Sequence, residues 1–186
     1  MKIIKTKLPG VLIIEPTVLE DSRGFFMESY NKNKFSANAI NVDFVQDNHS
    51  RSTAGTLRGL HWQAAPQGQD KLVRVVRGEI YDVAVDVRRD SSTFGQWVGV
   101  TLSETNKRQL FIPKGFAHGF CVLSKIADFL YKCTAFYSPE HEKGILWNDS
   151  KLNIDWPIKN PLLSEKDKKL PHLSEIDGYC EETSKD

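Results

Sequence analysis

The segment between Arg58 and Lys71 concentrates side chains that could move a proton. It holds Arg58, His61, Gln63 and Lys71 among residues that favour β-strands. Polar groups so close together on strands must face water or share a cavity, because burying them without partners is costly. An imidazole is suited to act as a base near neutral pH, so His61 could serve as one, and the cations could stabilise charge on a substrate oxygen. The alternative is that His61 is a hydrogen-bonded core or rim residue, the commoner role of a single histidine.

Strand geometry sets a condition on this cluster. In a regular strand over residues 56–63, His61 and Gln63 share one face while Arg58 lies on the other. Arg58 and His61 can serve one site only if the strand bulges or bends, and Gly59 is the residue where we expect this.

Tyr131 and Tyr137 form a second candidate feature. On a continuous strand they share one face and lie about 20 Å apart, at roughly 3.3 Å per residue. Core filling is the usual role of tyrosines on strands. The alternative is that both face one elongated ligand, with a sugar at one tyrosine and a nucleobase at the other.

The elements that must position these residues are almost all strands. Residues 71–87 alternate and are rich in β-branched side chains, with a turn-like break at Gly78. Short strands at close spacing indicate a β-sandwich or barrel. A short helix is predicted over residues 32–39, and a turn after Ser164. The other predicted strands cover residues 11–14, 24–28, 43–49, 56–63, 97–102, 108–113, 119–123 and 128–136.

Length and composition favour an ordinary globular protein of one domain, residues 1–186. The net charge of +1 gives no basic surplus for nucleic acid or a membrane surface, and no apolar run approaches a membrane span. The N-terminus lacks the apolar core of a signal peptide. Three cysteines fit no metal spacing, so we expect a reduced, cytoplasmic protein. Residues 174–186 are predicted to form a loosely ordered acidic tail.

Two histidine-containing segments resemble the conserved boxes of cupins. The first is Gly55-x5-His61-x-Gln63, and the second is Pro113-x-Gly115-x-x-His118. Metal-binding cupins carry two histidines and a glutamate in the first box and a third histidine in the second. Here Gln63 stands at the second histidine position, and residues 64–68 contain no glutamate. Two imidazoles without a carboxylate make a poor divalent site, so we predict no metal.

Eight stretches in order carry a more specific resemblance. The sequence resembles the dTDP-4-dehydrorhamnose 3,5-epimerase family over nearly its whole length, up to Leu173. The stretches are residues 21–28 (DSRGFFME), 46–50 (QDNHS), 57–63 (LRGLHWQ), 71–73 (KLV), 112–120 (IPKGFAHGF), 131–132 (YK), 142–144 (EKG) and 163–167 (LSEKD).

This resemblance implies an all-β fold, a cupin-like double-sheet jelly-roll barrel with a few short helices, which forms a homodimer and uses no cofactor. It assigns the base to His61, the carboxylate paired with that base to Asp167, the acid to Tyr131, and stacking on thymine to Tyr137. Lys71 is implied to stabilise charge. The implied substrate contacts are Arg23, Glu28, Gln46, Asp47, Asn48, Arg58, Lys71, His118, Glu142 and Lys166. Arg23 and Glu28 are implied to come from the partner chain.

The implied reaction is epimerisation at C3 and C5 of dTDP-4-dehydro-6-deoxy-D-glucose, a step of dTDP-L-rhamnose biosynthesis for surface polysaccharides. Both protons flank the C4 ketone, so base, acid and enolate stabilisation suffice. A single-position epimerase or a ketoisomerase acting on a related dTDP-deoxysugar is one alternative. A non-catalytic cupin that binds a sugar is another, since it needs no opposed base and acid.

Overall fold

The computed structural model describes residues 1–180. Within them the chain forms thirteen β-strands, one short α-helix and three 3₁₀ helices, Pro139–His141, Asp167–Lys169 and Leu173–Glu175. The other elements are β1 Lys2–Lys5, β2 Leu12–Glu15, β3 Val18–Asp21, β4 Gly24–Met27, α1 Lys32–Ser36, β5 Gln46–Thr53, β6 Leu57–Gln63, β7 Lys71–Arg77, β8 Glu79–Asp86, β9 Trp97–Ser103, β10 Gln109–Ile112, β11 Phe116–Val122, β12 Ile126–Cys133 and β13 Glu142–Gly144.

Two antiparallel sheets make the body of the fold. One has six strands in the order β1-β2-β10-β7-β12-β5, and the other has five in the order β13-β6-β11-β8-β9. Their inner faces enclose the main core, to which β7 contributes Val73, β8 contributes Ala84 and β12 contributes Phe129. Two sheets closed around one apolar core by long-range connections form a cupin-like jelly roll.

Both sheets are also covered on their outer faces. Leu152, Trp156 and Tyr179 pack against the outside of the five-stranded sheet, where Val83 and Val85 of β8 are fully buried. On the six-stranded sheet, Phe35 of α1 covers a smaller cluster. A strand buried on both faces reads as a continuous apolar run, which explains the composition of residues 79–87.

The helix α1 is a single short turn that fixes this outer cluster. Asn31 caps it, because its side-chain oxygen accepts a hydrogen bond from the Lys34 backbone N–H at 3.2 Å. Phe35 is its one buried residue. Across residues 1–180, none of the helices is long and apolar enough to span a membrane.

The strand predictions are confirmed in outline, with errors at boundaries. β5 begins three residues later than predicted and continues to Thr53, and β12 ends at Cys133 rather than at residue 136. β1, β3 and β13 escaped prediction because they are short, and most of the β3 side chains are exposed.

The prediction of a loosely ordered tail from residue 174 is wrong for residues 174–180. Tyr179 is buried, and its backbone N–H donates to the Val87 carbonyl at 2.6 Å while its carbonyl accepts from Arg89 at 3.2 Å. Acidic composition favoured a solvated tail, but one large aromatic side chain anchors this stretch against the sheet. Residues 181–186 of the predicted tail lie outside the described residues.

A separate hairpin of β3 and β4 stands apart from the two sheets. Among the described residues its strands pair with each other and with no other strand, from Val18 opposite Met27 to Asp21 opposite Gly24. Phe25 and Phe26 are 57% and 70% exposed, an unusual position for two neighbouring phenylalanines.

Candidate active site

Two cavities in the mouth of the barrel meet at His61, Lys71 and Tyr131, which line both. The larger has a volume of about 560 Å³ and the smaller about 330 Å³. We call the larger the basic lobe, because it is also lined by Arg51, Arg58, His118, Lys166 and Asp167. We call the smaller the amide lobe, because it is also lined by Gln46, Asn48, Gln63, Gln69, Tyr137 and Glu142.

A histidine–aspartate pair stands where the lobes meet. The Nε2 atom of His61 lies 2.7 Å from Oδ1 of Asp167, and Asp167 is 3% exposed. Burial alone raises the pKa of Asp167, but hydrogen bonds from His61, Ser164 and the Gly59 backbone outweigh it and hold the pKa below its usual value. The carboxylate is therefore ionised at neutral pH and accepts the Nε2 proton.

The predicted irregularity at Gly59 is present and brings Arg58 to the face of His61. Between the pairs His61 with His118 and Arg58 with Phe120, β6 has one residue more than β11, which is a bulge. Gly59 has φ of 117°, and a Cβ there would lie 2.6 Å from the Gly119 Cα. Only glycine fits this close crossing of two strands.

Arg58 is held at the wall of the basic lobe by a single side-chain contact. Its Nε donates to the Oγ of Ser52 on β5 at 3.0 Å, and Ser52 is buried. Arg58 and His61 therefore line the same lobe.

Lys71 and His118 line the basic lobe, and His118 forms a second histidine–aspartate pair. Nε2 of His118 lies 2.9 and 3.0 Å from the two carboxylate oxygens of Asp82, which is 0% exposed. The His118 ring stacks on Phe129 with centroids 6.0 Å apart. Burial lowers the pKa of Lys71, and nearby Asp82 and Glu142 oppose that shift. Burial also raises the pKa of Asp82, and the contact with His118 and the charge of Lys71 oppose that shift only in part.

Tyr131 keeps its proton in this setting. Burial raises the pKa of its hydroxyl above the usual value, and the positive charge of Arg58 opposes the shift only in part. A phenol that stays protonated is suited to donate a proton rather than to accept one.

The tyrosine pair does not lie on one strand, contrary to prediction. Tyr131 is on β12, whereas Tyr137 follows the end of that strand in an irregular segment, half exposed at the rim of the amide lobe. The Tyr137 hydroxyl donates to Oε2 of Glu142 at 2.6 Å, and Lys166 Nζ lies 2.5 Å from the same oxygen. Both tyrosines still line one cavity.

Three predicted site residues lie away from this cavity. The side chain of Asp47 is on the opposite face of β5 from Gln46 and Asn48, where it accepts a hydrogen bond from Lys132 at 2.8 Å. Strand alternation separates its side chain from those of its neighbours, and the contact of Asp47 with the substrate stays a prediction. Arg23 pairs with Asp21 on the exposed hairpin, and Glu28 pairs with Lys34.

Asp82, Ser52 and Ser164 support the site and were missed in the sequence. For Asp82 a signal existed, because it alternates with Ile80 and Ala84, both of which face the core. An acid at an inward-facing position needs a buried partner. The two serines carry no such signal.

The histidines at the cavity make hydrogen bonds rather than a ligand set. Both His61 and His118 present Nε2 to an aspartate. Among residues 1–180, no group of three or more histidine, cysteine, aspartate or glutamate side chains is arranged to hold a metal ion.

The sequence is similar to known proteins of one family. The family described as dTDP-4-dehydrorhamnose 3,5-epimerase matches residues 5–175. The dTDP-4-dehydrorhamnose 3,5-epimerase of Shigella flexneri is 62% identical over 168 residues, 90% of this chain and 93% of that protein. The enzyme of the same name from Pseudomonas aeruginosa is 58% identical over 96% of this chain and 99% of its own length.

A solved structure extends the similarity to three dimensions. It is the dTDP-6-deoxy-D-glucose-3,5-epimerase of Legionella pneumophila Philadelphia 1, crystallised in complex with dTDP-4-keto-L-rhamnose. The TM-score is 0.92 at 54% sequence identity, over 95% of this chain and 94% of that one.

Proposed function

The chain belongs to the dTDP-4-dehydrorhamnose 3,5-epimerase family, and on that premise we propose that the two-lobed cavity is its active site. The reaction is epimerisation at C3 and C5 of dTDP-4-dehydro-6-deoxy-D-glucose, giving dTDP-4-dehydro-L-rhamnose in dTDP-L-rhamnose biosynthesis. The observation that carries the assignment of residues is the paired His61 and Asp167 sharing one cavity with Tyr131 and Lys71.

In the proposed mechanism His61 is the base. With Asp167 ionised, the Nε2–H donates to the carboxylate, which leaves the Nδ1 lone pair of the neutral ring to take the proton from C3 or C5. Asp167 fixes this tautomer and stabilises the imidazolium that forms, as the aspartate does in a serine-protease triad. The proton on His61 then returns to water.

The electron pair of the broken C–H bond moves into an enolate whose charge lies on the C4 oxygen. Of the cations that line the basic lobe, Lys71 and Arg58 are the two proposed to stabilise this charge, an effect worth about 3 kcal/mol for a well-aimed donor. Tyr131 then delivers its phenolic proton to the opposite face of the carbon, which inverts it, and the tyrosinate that remains takes a proton from water. This proton balances the one that His61 releases, so both groups are restored for the second carbon. No hydride moves and no group is transferred, so the proposed mechanism needs no cofactor.

The amide lobe is the proposed site of the nucleotide. Tyr137 offers an aromatic face for the thymine, and Gln46 and Asn48 offer amide groups that can pair with polar ring atoms. Lys166, at the junction with the basic lobe, is available for a diphosphate oxygen once it leaves Glu142.

A homodimer is proposed to complete the site. Two features support it: the exposed phenylalanines of the β3–β4 hairpin, and the position of β5 as an edge strand whose residues 50–53 line the basic lobe. A hairpin donated by the partner chain would cover its phenylalanines, bring Arg23 to the diphosphate and bring Glu28 to the substrate. We also propose a cytoplasmic location, because Cys121, Cys133 and Cys180 are unpaired in the structure.

Hydrogen exchange from the sugar tests the proposed function directly. Incubation of the enzyme with its keto-sugar in deuterated water should place deuterium at both C3 and C5, measured by NMR and mass spectrometry. The control is His61→Asn, which keeps a polar side chain but removes the base. Deuterium at one carbon only would indicate a single-position epimerase, and at neither carbon a sugar-binding protein, and both results contradict the proposal.

A further inference from the structure

The segment that carries Tyr137 is held in place by side-chain amides rather than by a strand partner. β12 ends at Cys133, and residues 135–138 lie outside the described strands. Three glutamines bond its backbone instead. Gln69 Nε2 donates to the Ala135 carbonyl at 2.8 Å, and Gln46 Oε1 accepts from the Tyr137 N–H at 3.0 Å. Gln63 makes two of the bonds to this segment.

Gln63 uses its whole amide group in this role. Its Nε2 donates to the Phe136 carbonyl at 3.2 Å and to the Gln67 carbonyl at 2.6 Å, and its Oε1 accepts from the Ser138 N–H at 2.8 Å. The residue is 4% exposed. One buried side chain therefore ties the loop after β6 to the carbonyl and the N–H on either side of Tyr137.

The chemistry of these three bonds restricts the residue type. Two donors and an acceptor are needed on one short planar group, and among the side chains only asparagine and glutamine offer that set. A histidine has two ring nitrogens, so the neutral ring can donate once and accept once. Gln63 stands at the position of the second histidine in metal-binding cupins, and here the carboxamide serves the loop instead.

We propose that Gln63 is a positioning residue for nucleotide binding: it fixes residues 136–138 so that the ring of Tyr137 is presented to the base before the ligand arrives. The inference rests on the proposed contact between Tyr137 and the nucleobase. Because Tyr137 is half exposed, its own packing does little to fix the ring. The hydroxyl is held by Glu142 at one end, and the bonds to the backbone of residues 136–138 restrain the other end. Preorganisation of this kind improves binding by lowering the ordering cost.

The test compares Gln63→Glu with a matched change elsewhere. Gln63→Glu keeps the acceptor for Ser138 and the length of the side chain but loses both donors. Asn106→Asp is the control, because the Asn106 amide also makes three bonds to backbone groups, accepting from Ser103 and Arg108 and donating to Thr101. Asn106 lines neither lobe. Gln63→Met removes all three bonds without adding a charge.

We expect both Gln63 variants to weaken dTDP binding about tenfold and to raise KM for the dTDP-sugar similarly, with kcat changed less than about threefold. Amide hydrogen exchange at Tyr137 and Ser138 should speed up in the ligand-free protein. Asn106→Asp should change none of these quantities.

Four results would overturn the inference. If Tyr137→Ala weakens dTDP binding while the Gln63 variants do not, the nucleotide assignment stands and Gln63 has no part in it. If Tyr137→Ala also leaves dTDP binding unchanged, the proposed nucleotide contact fails and the inference with it. A fall in kcat at constant KM, or unfolding of both Gln63 variants under assay conditions, would show that Gln63 serves the chemistry or the whole fold instead.

Discussion

Two histidine–aspartate pairs lie at the cavity. Both present a histidine Nε2 to a carboxylate, and they differ in solvation. The His61 side chain is 27% exposed and its partner Asp167 comes from a 3₁₀ helix near the C-terminal end. The His118 side chain is 8% exposed, and its partner Asp82 lies on a neighbouring central strand inside the barrel. Proton exchange with a substrate needs an accessible ring nitrogen and a path to water, and only the first pair has the exposure for it.

The contrast extends to the carboxylates. Hydrogen bonds hold the pKa of Asp167 below its usual value, whereas burial raises the pKa of Asp82. An ionised aspartate at the mouth of the barrel suits the stabilisation of an imidazolium. The deeper pair instead fixes the orientation of a ring packed on Phe129 and places negative charge near Lys71. The lesson is that a histidine–aspartate contact does not by itself identify the base, since burial separates a reacting pair from a supporting one.

The largest expected effect comes from replacing the two histidines in turn. His61→Asn should abolish deuterium incorporation at both C3 and C5, because one base serves both carbons. His118→Asn should retain incorporation at both carbons at a lower rate, since it removes a contact and not the base. The measurement is the initial rate of exchange at each carbon by NMR. Near wild-type exchange at either carbon in His61→Asn, or complete loss in His118→Asn, would reverse the roles of the pairs.

Much of this arrangement could be predicted from the sequence, and the failures have physical causes. Arg58 and His61 on one strand required a bulge, and Gly59 was the only glycine between them, so the bend could be located. Asp82 was overlooked because an acid in an alternating strand resembles a solvent-facing residue until the inner face is known. Tyr137 was predicted to lie on a strand because β-propensity does not reveal where a strand ends. The glutamine side chains that replace the strand partner here are distant in the sequence from Tyr137.

The next largest effect is expected to be a difference in kcat between variants of Asp167 and Asp82. Asp167→Asn should lower kcat by orders of magnitude with little change in KM, because an amide favours the wrong tautomer of His61. Asp82→Asn should lower kcat by roughly tenfold, since it weakens the electrostatic support of Lys71 without touching the base. Asp86→Asn is the matched control, because Asp86 is as fully buried on the same strand but bonds Arg88, Ser91 and Thr93 instead. It should alter stability and leave kcat unchanged.

The outcome that would contradict this ordering is a loss of kcat in Asp82→Asn equal to that in Asp167→Asn. The buried pair would then take part in proton transfer, and solvation would be a poor guide to which pair reacts. A loss of kcat in the Asp86 control would instead trace the effect to general damage of β8.

The smallest expected effect is on the pH dependence of stability, and the two aspartates should act with opposite sign. The native pKa of Asp167 lies below its unfolded value of about 3.8, so the stability it contributes is present above that pH and lost as pH falls through the native pKa. The native pKa of Asp82 is raised, so the folded state binds more protons above pH 3.8 and stability falls as pH rises there. Asp167→Asn should therefore flatten the loss of stability below about pH 3.8, and Asp82→Asn should flatten a decline above it.

Urea unfolding of the wild type and both variants from pH 3 to 7 measures the free energy of unfolding at each pH. If both variants changed the slope in the same pH range with the same sign, the two carboxylates would share one electrostatic environment, and the division between a solvated reacting pair and a buried supporting pair would be wrong.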